Sequence, residues 1–290
     1  MKSPSKIAPG LHFVATPIGS ARDITLRAVD VLGAADVIAA EDTRTARKLM
    51  DIHGIHVSGR PMIPYHDHNG AEARPHVLDL LSKGLSVAYV SEAGTPLVAD
   101  PGYQLGRAVI EAGFAVYSAP GASAALAALT VSGLASDRFL FAGFAPTASG
   151  ARARWLAELD GAQATSIVYE SPKRVNRLLD ELCEVVGVDR EVALCRELTK
   201  RFEEILRGTC GQVRDMVTER AAAGRALKGE MVLVISRASV KMATPEDVEA
   251  ALLAALETMP LKAASAQVSE QLQMSKRDVY QLGLRLKNES

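Results

Sequence analysis

The segment Val90-Ser-Glu-Ala-Gly-Thr-Pro-Leu-Val-Ala-Asp-Pro-Gly102 sets two carboxylates, Glu92 and Asp100, in a loop rich in glycine and proline. Gly94 and Gly102 let backbone approach a ligand closely, and Pro96 and Pro101 hold φ fixed. Such a loop either walls a small-molecule site or is a plain rigid turn. It is neither a G-x-G-x-x-G fingerprint nor a P-loop, so the dinucleotide and nucleoside triphosphate motifs do not apply. A second patch, Glu41-Asp-Thr-Arg44, holds two adjacent carboxylates. One is expected to pair with Arg44 or Arg47 while the other faces a cleft as a proton acceptor; the competing reading is Asp42 as a helix N-terminal charge. A third, Tyr65-His-Asp-His-Asn69, carries His66 and His68 on a loop. Histidine titrates in the neutral range that suits a base, but a loop histidine also serves as a solvated hydrogen-bonder. His-x-His without a further ligand does not make a metal site, and no metal is expected. The catalytic candidates are Glu41, Asp42 and His66.

These patches need elements to hold them. Short apolar runs at 11–15, 37–40, 86–90 and 115–118 read as buried strands, each followed by a helical pattern. Asp23 is expected to cap the first helix and Thr43 the second, with further helices over 72–83, 103–112 and 124–131. Alternation of this kind predicts a mostly parallel sheet covered by helices, with ligands at the carboxyl ends of the strands. From 137 onward, strands at 139–144, 166–170, 192–197, 202–207 and 231–236 enclose helices at 172–186 and 211–223. Residues 147–150 read as a linker. Strands joined without a helix, as between Glu197 and Phe202, predict a mixed or antiparallel second sheet. In the tail, Thr244 with Pro245 starts a helix, Pro260 separates it from a second over 262–272, and Ser275 with Asp278 starts a third that runs to Lys287. Two short helices around a tight turn resemble a helix-turn-helix or, equally, a helical hairpin. The expected division is 1–120, 121–240 and 241–290.

Composition narrows the function. The 290 residues carry a formal net charge of −1, with 48% hydrophobic and 23% charged residues. No global basic field points to nucleic acid, so a polyanion would need a local patch. Three scattered cysteines fit a reducing compartment rather than a disulfide framework or zinc knuckle. No secretory h-region or spanning segment is evident, so a soluble cytoplasmic protein is expected. From Lys241 onward six positive side chains meet seven negative ones, so regulatory DNA binding is not compelled.

Taken in order, further patches join the first three: Ala15-Thr-Pro-Ile-Gly19, Pro120-Gly-Ala-Ser-Ala124, Gly143-Phe144, Tyr169-Glu-Ser-Pro-Lys-Arg174, Arg196-Glu-Leu-Thr-Lys200 and Lys228-Gly-Glu-Met231. Over about 11–236 this series resembles the ribosomal RNA small-subunit methyltransferase I family, within the tetrapyrrole-methylase-like class of S-adenosylmethionine enzymes. The helical tail fits as well. The resemblance implies two α/β domains with the cofactor in the cleft between them. It also implies a homodimer that methylates a cytidine ribose 2′-hydroxyl in the decoding region of 16S rRNA, within the small ribosomal subunit, with no membrane or metal partner.

Carried over residue by residue, the cofactor would touch Pro17, Ser91, Glu92, Ala93, Gly94, Thr95, Pro96 and Asp100. The far wall would come from Pro120, Gly121, Ser123, Ala124, Tyr169, Glu170, Gly229, Glu230 and Met231. Helix-start N–H groups after Gly121 would take the cofactor carboxylate. Arg22, Arg44, Arg47, Lys173, Arg174, Lys276 and Arg277 are the candidate RNA contacts. Three positions depart from the family pattern: Glu92 stands for its aspartate, Ala122 for a proline and Ser20 for an asparagine. Of these, Glu92 is expected to bear most on cofactor affinity. The alternatives are a corrin or porphyrin C-methyltransferase on the same fold, and a ligand-sensing DNA-binding protein.

Overall fold

A computed structural model describes residues 6–66, 68–238, 245–272 and 274–289. The chain divides into two compact units, Met1–Ala238 and Ser239–Ser290.

In the first unit, β1 (Gly10–Val14), β2 (Val37–Ala40), β3 (Met62–Pro64), β4 (Ser86–Val90) and β5 (Val116–Ala119) form one sheet. Their order is β3-β2-β4-β1-β5 and every pairing is parallel. The central strands β1, β2 and β4 are buried on both faces, which is why each reads as an unbroken apolar run. Helices α1 (Leu26–Ala34) and α2 (Thr43–Ile52) cover one face around Val31, Leu32 and Met50; α3 (Gly70–Ser82) and α4 (Tyr103–Glu111) cover the other around Val77, Leu105 and Val109.

The second sheet holds β6 (Phe139–Phe144), β7 (Thr165–Glu170), β8 (Glu191–Arg196), β9 (Glu204–Thr209) and β10 (Met231–Ile235), in the order β6-β7-β10-β8-β9. Only β6 and β7 run parallel, so the sheet is mixed, as expected from the helix-free joins. The alanine-rich α5 (Ala124–Ser132) lies close on one face, packing Ala125, Ala128 and Leu129 against Ile167, Ala193 and Val232. Helices α6 (Ser149–Gly161), α7 (Val175–Val186) and α8 (Cys210–Ala222) cover the opposite face around Leu156, Leu178 and Val213.

Three local expectations need correction. Thr25, not Asp23, caps α1, its side chain accepting from the Ala28 N–H at 3.1 Å, while Ala21–Asp23 forms a single 3-10 turn. Asp42, not Thr43, caps α2, because its carboxylate accepts from the Arg44 and Thr45 N–H groups. The supposed linker at 147–150 runs directly into α6, whose small, polar first turn hides the Trp155, Leu156 and Leu159 contacts that hold it. Residue Thr244 lies outside the described residues.

The second unit is three helices, α9 (Pro245–Leu256), α10 (Leu261–Gln271) and α11 (Lys276–Glu289), around their own core of Val248, Leu252, Ala264, Val268 and Val279. No helix among the described residues is long and apolar enough to cross a membrane.

Leu178 is fully buried in α7 and Leu26 is 85% exposed on α1. Leu178→Ala should cost about 2–5 kcal/mol in urea unfolding, whereas Leu26→Ala should stay within about 0.5 kcal/mol of the parent.

Candidate active site

All strands of the first sheet point the same way, so the loops after β1, β2, β3, β4 and β5 share one edge. Across from that edge lie the ends of β6 and β7 and the start of β10. Between them opens a cleft of about 650 Å³, the size that holds a drug-sized ligand. Pro17, Ile18 and Gly19 follow β1; Glu41 and Thr45 follow β2; Glu92, Ala93, Gly94, Thr95, Val98, Ala99 and Asp100 follow β4. Ser123 and Ala124 start α5. Phe144, Tyr169, Glu170, Ser171, Pro172, Gly229, Glu230, Met231 and Val232 complete the lining.

The β4–α4 loop is the most constrained part of this wall. Gly94 and Gly102 take φ +81° and +119°, and Leu97 and Ala99 also sit at positive φ. Such conformations in residues other than glycine are held only by surroundings that over-determine them. Here the Gly94 N–H and C=O exchange hydrogen bonds with Thr16 at 3.0 and 2.9 Å, and the Thr95 hydroxyl donates to the Ala122 carbonyl. The buried Tyr89 hydroxyl donates to the Pro101 carbonyl, and a Cβ on Gly102 would lie 3.1 Å from its ring.

The two adjacent acids take different parts. Asp42 is paired with Arg44 at 2.8 Å and caps α2; hydrogen bonds from the Arg44 side chain and backbone hold its carboxyl down at about 2. Glu41 lines the cleft, and its carboxylate accepts from the Glu92 N–H at 3.0 Å. His66 is not among the lining residues. Its backbone N–H donates to Asn69 Oδ1, its ring meets His68 at 6.0 Å, and its buried Nδ1 has no hydrogen-bond partner among the described residues.

Tyr169 accepts a hydrogen bond from the Ala125 N–H at 3.1 Å, so one first-turn donor of α5 is already engaged. Burial, then the nearby Asp100 and Glu230 carboxylates, outweigh that bond and push the phenol above its ordinary range, so it stays neutral at pH 7. Glu170 is fully buried at the cleft floor and is held by Arg174 at 2.7 Å, with Arg152 at 4.0 Å behind it. Arg174 is thereby committed to an ion pair, as Arg44 is to Asp42; Arg22, Arg44, Arg47 and Lys173 are exposed. Lys276 and Arg277 are exposed on the first turn of α11, in the second unit.

Loop 197–203 fastens the second sheet to the first. Glu197 and Thr199 sit at positive φ, Thr199 Oγ1 accepts from the Ser20 N–H at 3.1 Å, and Lys200 bridges Glu197 and Glu230. Burial pulls the Lys200 ammonium down, but its two carboxylate partners outweigh that and hold it above its ordinary value. Gly19 is the contact point: a Cβ there would sit 2.6 Å from Thr199 Oγ1 and 2.9 Å from the Leu198 carbonyl oxygen.

Of the residues expected to touch a cofactor, Ser91, Pro96, Pro120 and Gly121 do not line the cleft. Ser91 is buried, and Gly121 packs so that a Cβ would meet Ala15 at 3.0 Å. Ile18, Gly19, Thr45, Val98, Ala99, Phe144, Ser171, Pro172 and Val232 also line the cleft although the sequence reading does not single them out for the cofactor. All but Thr45 and Val232 lie inside the quoted patches, so patch membership is the signal and side-chain direction is what the sequence does not show.

Known proteins put this cleft in context. Residues 10–214 match the tetrapyrrole (corrin/porphyrin) methylases, and residues 242–287 match the RsmI C-terminal HTH domain. A ribosomal RNA small subunit methyltransferase I of Mesorhizobium japonicum is 44% identical over 98% of this chain and 94% of its own length. That of Vibrio cholerae is 42% identical, over 96% and 95%. The chain belongs to the ribosomal RNA small subunit methyltransferase I family. The tetrapyrrole-methylase fold of this family also appears in two more distant solved structures. A cobalt precorrin-4 methyltransferase superposes with TM-score 0.57 at 17% identity, covering 78% of this chain and 94% of that one. Diphthine synthase does so with TM-score 0.56 at 12% identity, over 78% and 89%. In this methyltransferase I family member the tail matches the helix-turn-helix domain, which decides between the two readings of those helices.

Two outcomes follow from the geometry. Side-chain NMR should find the Asp42 carboxyl titrating at about 2, moving toward 3.8 in Arg44→Ala. Because the folded value is depressed, the associated stability is present above pH about 4 and lost as pH falls toward 2. Gly19→Ala should overpack the junction, destabilising the first unit by about 1–3 kcal/mol in urea unfolding.

Proposed function

We propose that the chain transfers a methyl group from S-adenosylmethionine to the ribose 2′-hydroxyl of a cytidine in the decoding region of 16S rRNA. The observation that carries this reading is the near full-length relation to proteins named for ribosomal RNA methylation, joined to a cleft lined by carboxylates. Relatives in cobalamin synthesis share only the fold.

The lining fits the donor. Its cationic and hydroxyl-bearing parts suit Glu92, Asp100 and Glu230, its flat base suits Ile18, Val98, Met231 and Val232, and its carboxylate suits the α5 start at Ser123 and Ala124. Among the described residues, buried Glu170 Oε2 has no hydrogen-bond partner of its own. The bound cofactor supplies an electrophilic methyl on a sulfonium, and this chemistry needs no metal.

The protein's work is alignment and proton removal. Constrained loops that hold two reactants in line supply several kcal/mol of the barrier. Glu41 is the favoured base among Glu41, Asp42 and His66. It lines the cleft and the Glu92 N–H fixes its orientation, whereas Asp42 is tied to Arg44 and helix capping. The Glu41 carboxylate would take the 2′-hydroxyl proton as that oxygen displaces the methyl from the sulfonium sulfur, which would leave as a neutral thioether. The exposed Arg22, Arg47 and Lys173 would meet phosphates, with Arg44 doing so beside its Asp42 partner, and Lys276 and Arg277 are the candidate phosphate contacts of the second unit. A homodimer would double this basic rim, and light scattering on the purified protein reads its mass.

Mass spectrometry of 16S rRNA from a strain lacking the protein should show one ribose methyl missing; unchanged methylation sinks the reading. In calorimetry, Glu92→Ala should weaken S-adenosylmethionine binding roughly tenfold or more, the scale of a lost charged hydrogen bond. Glu41→Gln should lower single-turnover methylation by about 10²–10⁴ with cofactor affinity near the parent's.

A further inference from the structure

We propose that Phe144 is the platform on which the acceptor nucleobase stacks, so that this side chain selects a nucleotide by its base while the ribose reaches the cofactor. The proposal rests on the rRNA reading above.

The backbone sets the side chain up for this. Strand β6 pairs with β7 in register at Phe139–Thr165, Leu140–Ser166 and Phe141–Ile167, then slips: Gly143 pairs with Val168 and Phe144 with Tyr169. Ala142 is the extra residue. Side chains alternate between faces, so a single insertion moves everything after it to the other face. In an unbroken register Phe144 would oppose Glu170 and share the face on which Ala142 packs against the α6–α8 core. The bulge puts it beside Tyr169 on the cleft face instead. Gly143 takes φ +63° with nothing within 4 Å of a Cβ, so glycine is needed there for conformation rather than for space.

Position and exposure then separate Phe144 from its neighbours. Tyr169 is flanked edge-on by Phe141 at 4.9 Å and Phe144 at 5.6 Å, and its hydroxyl is engaged with Ala125. Phe144 is the outer member and stays 52% exposed, whereas Glu170, Met231 and Val232 on the floor are 2–5% exposed. A cofactor fills the floor. An RNA chain is too large to enter, so its acceptor nucleotide comes over the rim, displaced from its neighbours. There a half-exposed phenyl ring offers the kind of aromatic surface on which single-stranded bases stack.

The test uses the full chain and an RNA fragment carrying the position that the wild type methylates, beside the same fragment with the acceptor base removed and its ribose kept. Base–aromatic stacking of about 1–3 kcal/mol corresponds to roughly 5- to 150-fold in affinity. Wild type should prefer the intact fragment by a factor in that range. Phe144→Leu should abolish the preference while its calorimetric S-adenosylmethionine affinity stays within about twofold, and Phe144→Trp should keep it. Urea unfolding of both variants guards against misfolding, and Phe144→Trp serves as the second variant if Phe144→Leu fails to fold. Loss of cofactor affinity with the base preference intact assigns Phe144 to the cofactor and overturns the proposal. A preference unchanged in Phe144→Leu, or lost in Phe144→Trp, overturns it too. A wild type that methylates neither the fragment nor small ribosomal subunits from a strain lacking the protein removes the rRNA reading itself, an outcome distinct from a failure confined to Phe144.

Discussion

The close approach of Gly19 to loop 197–203 is the constraint on which the cleft depends. The first sheet brings one wall and the second sheet the other, and where they meet Gly19 is pressed against the Thr199 and Lys200 side chains and the Leu198 carbonyl. A Cβ on Gly19 would collide with all three. The contact costs two residues in positive-φ conformations, Glu197 and Thr199, offset by the Ser20–Thr199 hydrogen bond and the Lys200 ion pairs. Because Lys200 also holds Glu230, a cleft-lining residue, the same junction sets the width of the site and one of its charges.

The floor depends on a second device. Glu170 is a carboxylate with no access to solvent, and a buried charge survives only when paired. Arg174 on the loop before α7 and Arg152 on α6 supply the pairing, and Arg152 passes the link to Glu181 on α7. The helices behind the second sheet are thereby connected through charge to the floor of the cleft. This explains a buried arginine at 4% exposure on the same face of α6 as Trp155, Leu156 and Leu159.

Much of the architecture was legible because its signals are local. Central parallel strands are apolar throughout, and glycine and proline mark the loops at their carboxyl ends, so the β4–α4 wall stood out before any coordinates. What escaped reading depends on partners distant in sequence. Helix α6 is stabilised by Arg152, Trp155 and Leu156 contacts to other elements, and its own first turn looks like a linker. The caps were misread because Ser, Thr and Asp neighbours compete for the same N–H groups, and only the backbone angles decide between Thr43 and Asp42. Glu41 and Asp42 are chemically alike on the page, and the direction of each carboxylate separates them. Phe144 was part of a recognised patch, yet its place on the cleft depends on a slip in strand pairing that no residue type announces.

That slip carries a wider consequence. At the end of β6 the aromatic reaching the cleft is chosen by how many residues separate it from Phe141, not by which residues they are. Shortening the strand by one position would hand the rim to another side chain without altering any amino acid that touches it. In this corner of the protein, insertion and deletion are the mutations that rewrite the rim, and a sequence comparison that scores only identities would pass over them.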